Sequence, residues 1–353
     1  MKAATIRDVA SHASVSVASV SRVLNGTGPV TATTRERILQ SIETLGYVPH
    51  SGARSLSTSR TDTVGVILPD LFGEFFSELI RGMDLAARAH GLHLIVSSSH
   101  GDADEASAAI RSMRGRVDGL IVLSPHLDDF GLSATAGRLP VILMNGGAVG
   151  DLPSIAVDNR GGAIAAVEHL LQTGRRRIAH ISGPAGNLEA EARLAGYAEA
   201  MAKAGFDALV VDGDFTQTSG HRAASGLMAR ADRPDALFVG NDTMAIGALL
   251  ALQEDGLRCP EDVAIVGFDD VPIASLVRPA LTTLRVDIVG IGRRALDRLV
   301  GLMRDKTAEP VEAVHETVRP TLIVRGSTQP ASDLSPPIGQ DPVLAGGITL
   351  GKT

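Results

Sequence analysis

The chain has 353 residues, of which 44 % are hydrophobic, and carries a formal net charge of −7. This length predicts two or three domains with a large packed core. The sequence contains no membrane-spanning run, MKAATIRDVA lacks the apolar stretch of a secretory leader, and the single Cys259 excludes a disulfide framework, so we expect a cytoplasmic protein.

The charge is distributed unevenly along the chain. Residues 1–60 carry seven Lys or Arg and three Asp or Glu, a net +4, whereas the remainder carries 26 basic and 37 acidic residues, a net −11. A basic head would attract a phosphate backbone while an acidic body limits nonspecific adhesion to DNA. Ordinary variation in surface charge is the alternative, and +4 alone does not decide between them.

The first two predicted elements are short helices around a tight turn. Thr5 is expected to cap a helix that turns Ile6, Val9 and Ala10 to one face, and the break at Ser14 precedes a second helix. Such a pair is typical of a helix-turn-helix.

The second helix is expected to run from about Val17 to Leu24, with Val20, Val23 and Leu24 directed inward. Val17, Ala18 and Arg22 then remain on its outer face, which can enter a major groove.

A third helix is predicted over residues 31–45, capped by Thr31 or Thr33 and ended by Gly46, with Ile38, Ile42 and Leu45 as its apolar stripe. Pro49 then blocks helix continuation until the short ARSL turn at residues 53–56. This linker is either a hinge that orders only under certain conditions or a plain flexible tether.

From Thr63 onward, strand-like and helix-like segments alternate. The strand-like ones include TVGVILP, LHLIVSSS, DGLIVLSP, DALFVGN and DVAIVGFDD, and the helix-like ones include FFSELIRGMDLAARAHG and MAIGALLALQEDG. Such alternation predicts parallel α/β sheets in two similar halves, whose strand ends face a cleft where ligands bind.

The order of these motifs is similar to that of LacI/GalR-family transcriptional regulators. The matching segments, over roughly residues 4–326, include TIRDVASHASVSVASVSRVLN, VTATTRERI, ARSL, RVDGLIV, VDNRGGA, NDTMAIGAL, DVAIVGFDD and PALTTL. The resemblance implies a homodimer, most simply a repressor, that binds a palindromic operator on nucleoid DNA and is controlled allosterically by a small effector. Whether the effector promotes or prevents operator binding stays open.

The expected fold class is α/β, with a small all-α helix-turn-helix headpiece before a two-lobed, periplasmic-binding-protein-like (Rossmann-like) effector domain. The expected limits are headpiece 1–46, hinge 47–61, effector and dimerisation domain 62–327 and disordered tail 328–353. Within the effector domain, lobe 1 takes roughly 62–160 plus 287–317 and lobe 2 roughly 161–286 plus 318–327. The tail shows no leucine heptad for tetramerisation, so a dimer is expected.

Candidate DNA-binding residues lie in the headpiece and hinge. The planar fork of Arg22 matches guanine O6 and N7, with a phosphate contact as the alternative. The resemblance assigns Val17 and Ala18 to specificity positions that act through methyl contact and shape. Short donors for phosphates, each also a possible helix cap, are Thr5, Ser16, Ser21, Asn25 and Thr34.

The hinge contributes Arg54 and Leu56. The resemblance implies that Leu56 wedges into the minor groove at the operator centre, although burial against the body is the alternative.

Candidate effector-binding residues are implied by the sugar-binding pattern. Phe75 and Phe76 would stack on the ligand or pack in the core, and polar or aromatic groups would come from Asn145, Arg193, Phe215, Asn241 and Asp269.

Departures from the family pattern narrow the effector. Gly73 and Glu74 stand where sugar-binding relatives often have Asn-Pro, and Asn187 stands where some purine-binding relatives have Arg. A neutral sugar is therefore favoured over a purine, while a sugar acid or phosphate on Arg193 stays open.

Other classes of protein are less well supported. The GIGRRA segment at residues 290–295 fits a nucleotide-binding pattern only loosely, and catalytic and metal motifs are missing, so no enzyme, cofactor or metal site is expected. The Asp269–Asp270 pair resembles a catalytic dyad only superficially, because neighbours on a strand point to opposite faces; one would enter the cleft and the other cap a turn. A transporter's solute-binding protein would lack the basic head, and a hydrolase would turn its ligand over.

Overall fold

The computed structural model describes residues 4–48, 60–123, 132, 135–144, 152–304 and 314–329. The predicted hinge residues Arg54 and Leu56, the candidate ligand Asn145 and the chain from residue 330 onward lie outside the described residues.

The headpiece contains three helices, α1 Ile6–His12, α2 Val17–Asn25 and α3 Ala32–Leu45. Thr5 caps α1 in a reciprocal capping box with Asp8, and Ser16 caps α2 by accepting from the Ser19 amide. Ser14 between them has a φ of 53°, and this left-handed conformation forms the tight turn that the sequence predicted. The helix-turn-helix prediction is confirmed.

The third helix covers the first two. Thr31, rather than Thr33, is its cap, and Gly46 ends it in the left-handed conformation. The residues of this small core are Val9, Ala10, Ala13, Val20, Val23, Ile38 and Tyr47. Leu24, Ile42 and Leu45 pack against that cluster but are only partly buried, so the predicted apolar stripe is less completely buried than expected.

Two α/β lobes follow the headpiece. The strands are β1 Thr63–Leu68, β2 His93–Ser98, β3 Gly119–Leu123, β4 Val141–Met144, β5 Ser154–Val157, β6 Ile178–Ile181, β7 Leu209–Val211, β8 Ala236–Val239, β9 Ala264–Asp269, β10 Thr282–Arg285, β11 His315–Val318 and β12 Thr321–Ile323. The helices are α4 Glu74–Ala89, α5 Ala103–Met113, α6 Asn159–Gln172, α7 Leu188–Lys203, α8 Gln217–Met228, α9 Asp242–Glu254 and α10 Ile288–Arg304, with a 3₁₀ turn at Pro272–Ser275.

Each lobe contains one six-stranded sheet. The first has the order β11-β5-β4-β3-β1-β2, all parallel, and the second has the order β12-β10-β9-β8-β6-β7. In the second sheet only β12 runs antiparallel, against β10. The predicted two-lobed parallel architecture is confirmed, with this antiparallel edge strand as an addition.

The chain crosses between the lobes near residues 158, 286 and 319, because β5, α10 and β11 belong to the first lobe while α6, β10 and β12 belong to the second. The exact domain limits stay a prediction. One limit needs revision, because Thr328, expected in the tail, is buried and hydrogen-bonded to His169 and Thr282 of the second lobe.

The GIGRRA segment lies inside α10, which packs on α4. A Cβ at Gly292 would collide with the Leu79 carbonyl, and one at Gly82 with the Val289 carbonyl. These glycines therefore permit close helix packing, which is a physical reason against a phosphate loop there. Among the described helices, none is both long and apolar enough to cross a bilayer.

His180 is the buried polar centre of the second lobe. Its ring stacks between Tyr197 and Phe238, and its Nδ1 lies 2.9 Å from the Phe238 carbonyl oxygen. Because a carbonyl only accepts, Nδ1 carries the proton, while Nε2 is buried without a hydrogen-bond partner. Burial lowers the pKa of His180 from 6.5 to about 4.

This burial predicts an acid-sensitive fold. Between pH 6.5 and 4 the unfolded chain takes up a proton at His180 that the folded chain refuses, so the free energy of unfolding falls as pH decreases, by up to about 3 kcal/mol. His180→Asn should remove that part of the slope, measured by urea unfolding at a series of pH values. His93→Asn, at an exposed position, is the control, and an unchanged slope in His180→Asn would contradict the prediction.

Candidate functional site

A cavity of about 490 Å³ lies between the two lobes, at the carboxyl ends of their parallel strands. It is the predicted cleft. Of the seven candidate effector residues, six line it: Phe75, Phe76, Arg193, Phe215, Asn241 and Asp269. The seventh, Asn145, follows β4 and lies outside the described residues.

Arg193 on α7 is the most enclosed of these side chains, with 4 % of its surface exposed. Its Nε donates to Asn159 Oδ1 over 2.8 Å and its Nη1 donates to the Gly240 carbonyl. Its guanidinium also lies 3.8 Å from the centre of the Phe268 ring. Three elements of the second lobe therefore hold the guanidinium at the cavity wall.

Asp269 completes this group from the end of β9. Its Oδ1 lies 3.5 Å from Arg193 Nη2, and that buried oxygen has no hydrogen-bond partner. Burial raises the pKa of the Asp269 carboxyl to about 7, against the opposing charge of Arg193 and with help from Glu189. The carboxyl can therefore accept from, or when protonated donate to, a group that enters the cavity.

The backbone around Asp269 is strained. Asp269 has a φ of 110° and Asp270 a φ of 57°, both unfavourable for residues with a Cβ. Asp270 does not cap a turn as expected: it binds Arg285 over 2.6 Å and Arg325 over 2.7 Å. The two carboxylates thus have separate partners, which is a physical argument against a catalytic dyad.

Asp242, which the sequence analysis did not single out, supports this bend. It is fully buried at the start of α9, and accepts from Thr283 Oγ1 over 2.5 Å and from the Val271 amide over 3.0 Å. Burial, followed by the charge of Asp269, raises its pKa well above the ordinary value. The preceding residue, Asn241, thus lines the cavity, while Asp242 holds the loop after β9.

Asn241 has a structural task as well as a place in the cavity. Its Oδ1 caps α9 through the Met244 amide, and its Nδ2 donates to the Phe215 carbonyl over 3.2 Å. Phe215 has a φ of 68°, so this hydrogen bond holds a strained turn that presents the ring to the cavity.

Phe75 and Phe76 form an edge-to-face pair with centroids 5.4 Å apart on α4. Both rings are half-buried against the main core and both line the cavity. The two expectations for them, core packing and ligand stacking, are therefore physically compatible.

Glu74 connects the two lobes across the cavity. Gly73, with a φ of 98°, starts α4, and the next residue, Glu74, accepts through Oε2 from the Ile273 amide of the second lobe over 3.0 Å. In the sequence these two residues stand out only as departures from a family pattern, and the interlobe hydrogen bond is visible only in the tertiary structure.

The predicted DNA-contact residues are distributed over the headpiece surface. Val17, Ala18 and Arg22 are exposed on one side of α2, Val17 with 41 % of its surface accessible. The polar candidates have local partners: Thr5 and Ser16 cap helices, Asn25 donates to Ser21, and Thr34 accepts from Thr31. In the described part of the chain no cluster of three or more potential metal ligands occurs.

Comparisons with known proteins agree with this arrangement. The sequence model of bacterial regulatory proteins of the lacI family matches residues 5–50, and that of the periplasmic binding protein-like domain matches residues 167–328. Catabolite control protein A of Priestia megaterium is 36 % identical over 312 residues, which are 86 % of this chain and 94 % of that protein.

Two solved structures have the same architecture. The lac repressor dimer bound to operator and the anti-inducer ONPF has a TM-score of 0.82 at 29 % identity, covering 93 % of this chain and 99 % of that one. The complex of the transcriptional regulator CelR with cellobiose has a TM-score of 0.68 at 34 % identity, covering 92 % and 99 %.

The Asp269 carboxyl predicts a second pH effect, opposite in sign to that of His180. Its folded pKa of about 7 lies above the ordinary 3.8, so its contribution to stability is complete below pH 3.8 and is lost as pH rises to 7, about 4 kcal/mol at most. Asp269→Asn should not lose stability in this way. The free energy of unfolding of the variant minus that of the parent should therefore increase from pH 4 to pH 7. Asp212→Asn, an exposed position, should run parallel to the parent; a parallel curve for Asp269→Asn would refute the assignment.

Proposed function

The chain belongs to the lacI family of bacterial regulatory proteins and is a DNA-binding transcriptional regulator rather than an enzyme, and from this premise we propose that it is a sugar-responsive repressor. It binds a palindromic operator as a homodimer, in the cytoplasm on nucleoid DNA. The observation that supports this most is the joining of a helix-turn-helix to a two-lobed body whose interlobe cavity contains the Arg193–Asp269 pair.

The outer face of α2 is proposed to read the operator. Arg22 would bond a guanine through its fork, while Val17 and Ala18 contact methyl groups and groove shape. The hydroxyl oxygens of Thr5 and Ser16 already cap helices, so these two positions would meet phosphates mainly through the amide N–H groups at the helix starts that they cap. Ser21, Asn25 and Thr34 complete the proposed set.

The hinge is proposed to couple the body to the headpiece, with Arg54 and Leu56 entering the minor groove. Where the chain enters the first lobe, the Asp118 carboxylate accepts from the Thr61 amide over 2.7 Å, from its hydroxyl over 2.9 Å and from the Asp62 amide over 2.9 Å. A movement of this lobe would therefore shift the end of the hinge directly, and in a dimer it would change the distance between paired hinges. Such couplings are reciprocal and amount to about 1–3 kcal/mol.

The effector is proposed to be a sugar that lies between the lobes. Rings from Phe75, Phe76 and Phe215 offer surfaces for the C–H faces of a sugar, and the Asp269 carboxyl offers an unpartnered acceptor for a hydroxyl. The cellobiose complex of CelR, a protein of the same architecture, supports this class of ligand. Asn145, after β4, is proposed to contact the ligand from the first lobe.

Arg22 is predicted to determine operator preference. A palindromic site selected from random duplexes with the full chain should lose at least tenfold affinity on Arg22→Ala, since a bidentate guanine contact contributes about 1–3 kcal/mol of discrimination. Fluorescence anisotropy against the selected and a scrambled duplex measures this. Arg35→Ala, an exposed position on α3, should weaken both duplexes alike or neither. No preference of the parent chain for any palindrome would defeat the proposal itself.

Leu56→Ala and Arg193→Ala are predicted to have opposite effects. Leu56→Ala should weaken operator binding strongly and leave ligand affinity unchanged, because the proposed wedge is lost while the cavity stays intact. Arg193→Ala should abolish the ligand response and keep operator binding. Fluorescence anisotropy measures operator affinity of the two variants, calorimetry measures their ligand affinity, and thermal unfolding verifies that both are folded. A ligand response that survives Arg193→Ala would contradict the proposal that the cavity is the effector site.

A further inference from the structure

The walls of the interlobe cavity are strongly acidic. The first lobe contributes the carboxylates of Asp70 and Glu74, and the second those of Glu189 and Asp214 together with the Asp269 carboxyl, whose pKa of about 7 leaves it partly ionised at neutral pH. Among the described lining residues, the groups that can be positive are Arg193 and His100, and His100 Nε2 already lies 4.0 Å from Glu105.

Arg193 offsets only part of this charge for an incoming ligand, because its own partners surround most of the guanidinium. Two of its three nitrogens donate to Asn159 and Gly240, its face lies on Phe268, and its third nitrogen faces the carboxyl of Asp269. An anion that approached this nitrogen would lie against the Asp269 carboxyl, whose negative charge opposes its binding.

The carboxylate of Asp214 on the second wall is stabilised in its ionised form. Hydrogen bonds from Ser219 and Thr216 overcome the effect of burial and lower the pKa of Asp214. The charge of Glu189 is felt at Asp269, whose pKa it raises. A negatively charged ligand would therefore enter a field of its own sign on both walls.

We propose that the effector carries no negative charge: the cavity accepts a neutral or amine-bearing sugar and excludes carboxylated or phosphorylated ones. The aromatic rings that line it, Phe75, Phe76 and Phe215, add negative π faces that tolerate a cation and do not attract an anion. The cavity would then discriminate between ligands by repelling anions, without an additional contact to the preferred ligand. This inference rests on the proposed role of the cavity as the effector site.

The sign of the cavity field can be measured without knowing the effector. Thr243→Cys places a thiol on the wall, in a Cys259→Ala background that removes the native cysteine. The full-length protein is treated separately with three methanethiosulfonate reagents, which carry a cationic trimethylammonium group, an anionic sulfonate group or a neutral methyl group. The rate at which each reagent modifies the protein thiol is divided by its rate with a free thiol in solution. Phe72→Cys, with 82 % of the Phe72 surface exposed at the opening, is a second position should Thr243→Cys fail to fold.

The cationic reagent should react at least tenfold faster than the anionic one, with the neutral reagent between them. Glu189→Gln should reduce this ratio, whereas Glu191→Gln, two residues along α7 and exposed away from the cavity, should leave it unchanged. Higher ionic strength should also reduce the ratio, because exposed charges are screened over about 10 Å at 0.1 M salt. Equal rates, or a faster anionic reagent, would overturn the proposal.

Matched sugars then test the class of ligand. Calorimetry with glucose, glucosamine and glucuronate, and with galactose, galactosamine and galacturonate, should show the acid at least tenfold weaker than the neutral member of any series that binds. An acid that binds as tightly as its neutral counterpart would overturn the inference. If no sugar binds while the reagent ratio behaves as expected, the sugar proposal fails and the exclusion of anions stands.

Discussion

The burial of one guanidinium organises the functional face of this protein. A charged group loses its hydration when it is enclosed, and only a complete set of partners makes that tolerable. Arg193 donates hydrogen bonds to Asn159 at the start of α6 and to Gly240 after β8, and its charge lies 3.5 Å from the Asp269 carboxyl at the end of β9. The second wall of the cavity therefore has a defined shape before any ligand arrives.

The same region stores backbone strain. Phe215, Asp269 and Asp270 all have positive φ, and the surrounding contacts from Asn241 and Asp242 hold them there. An unpartnered carboxyl oxygen and strained turns around one cavity are typical of a preorganised binding site. Such a site lowers the stability of the fold but holds the ligand-contacting groups in place in advance. The interlobe hydrogen bond of Glu74 joins the two walls of this cavity directly.

The two ends of this architecture carry net charge of opposite sign. The basic headpiece favours phosphates, and the acidic body both repels DNA and surrounds its cavity with carboxylates. The Asp118 carboxylate fixes the point where the chain leaves the hinge and enters the first lobe. In the proposed mechanism, a small movement of that lobe would reach Thr61 and Asp62 through these three short hydrogen bonds.

The sequence by itself determined the helix-turn-helix and the alternation of strands and helices in two parallel-sheet halves, because helical and strand periodicities and capping residues such as Thr5 and Ser16 act over a few residues. It did not identify every element, since α8 and α10 were not predicted as helices. It also pointed to the residues that meet at the cavity. Only the tertiary structure decided that Arg193 already has partners within the protein, that Gly292 of α10 serves helix packing, that β12 runs antiparallel and that Glu74 bridges the lobes. Each of these depends on groups far apart in the chain, and local pattern has no information about which distant carboxylate or carbonyl a side chain will meet.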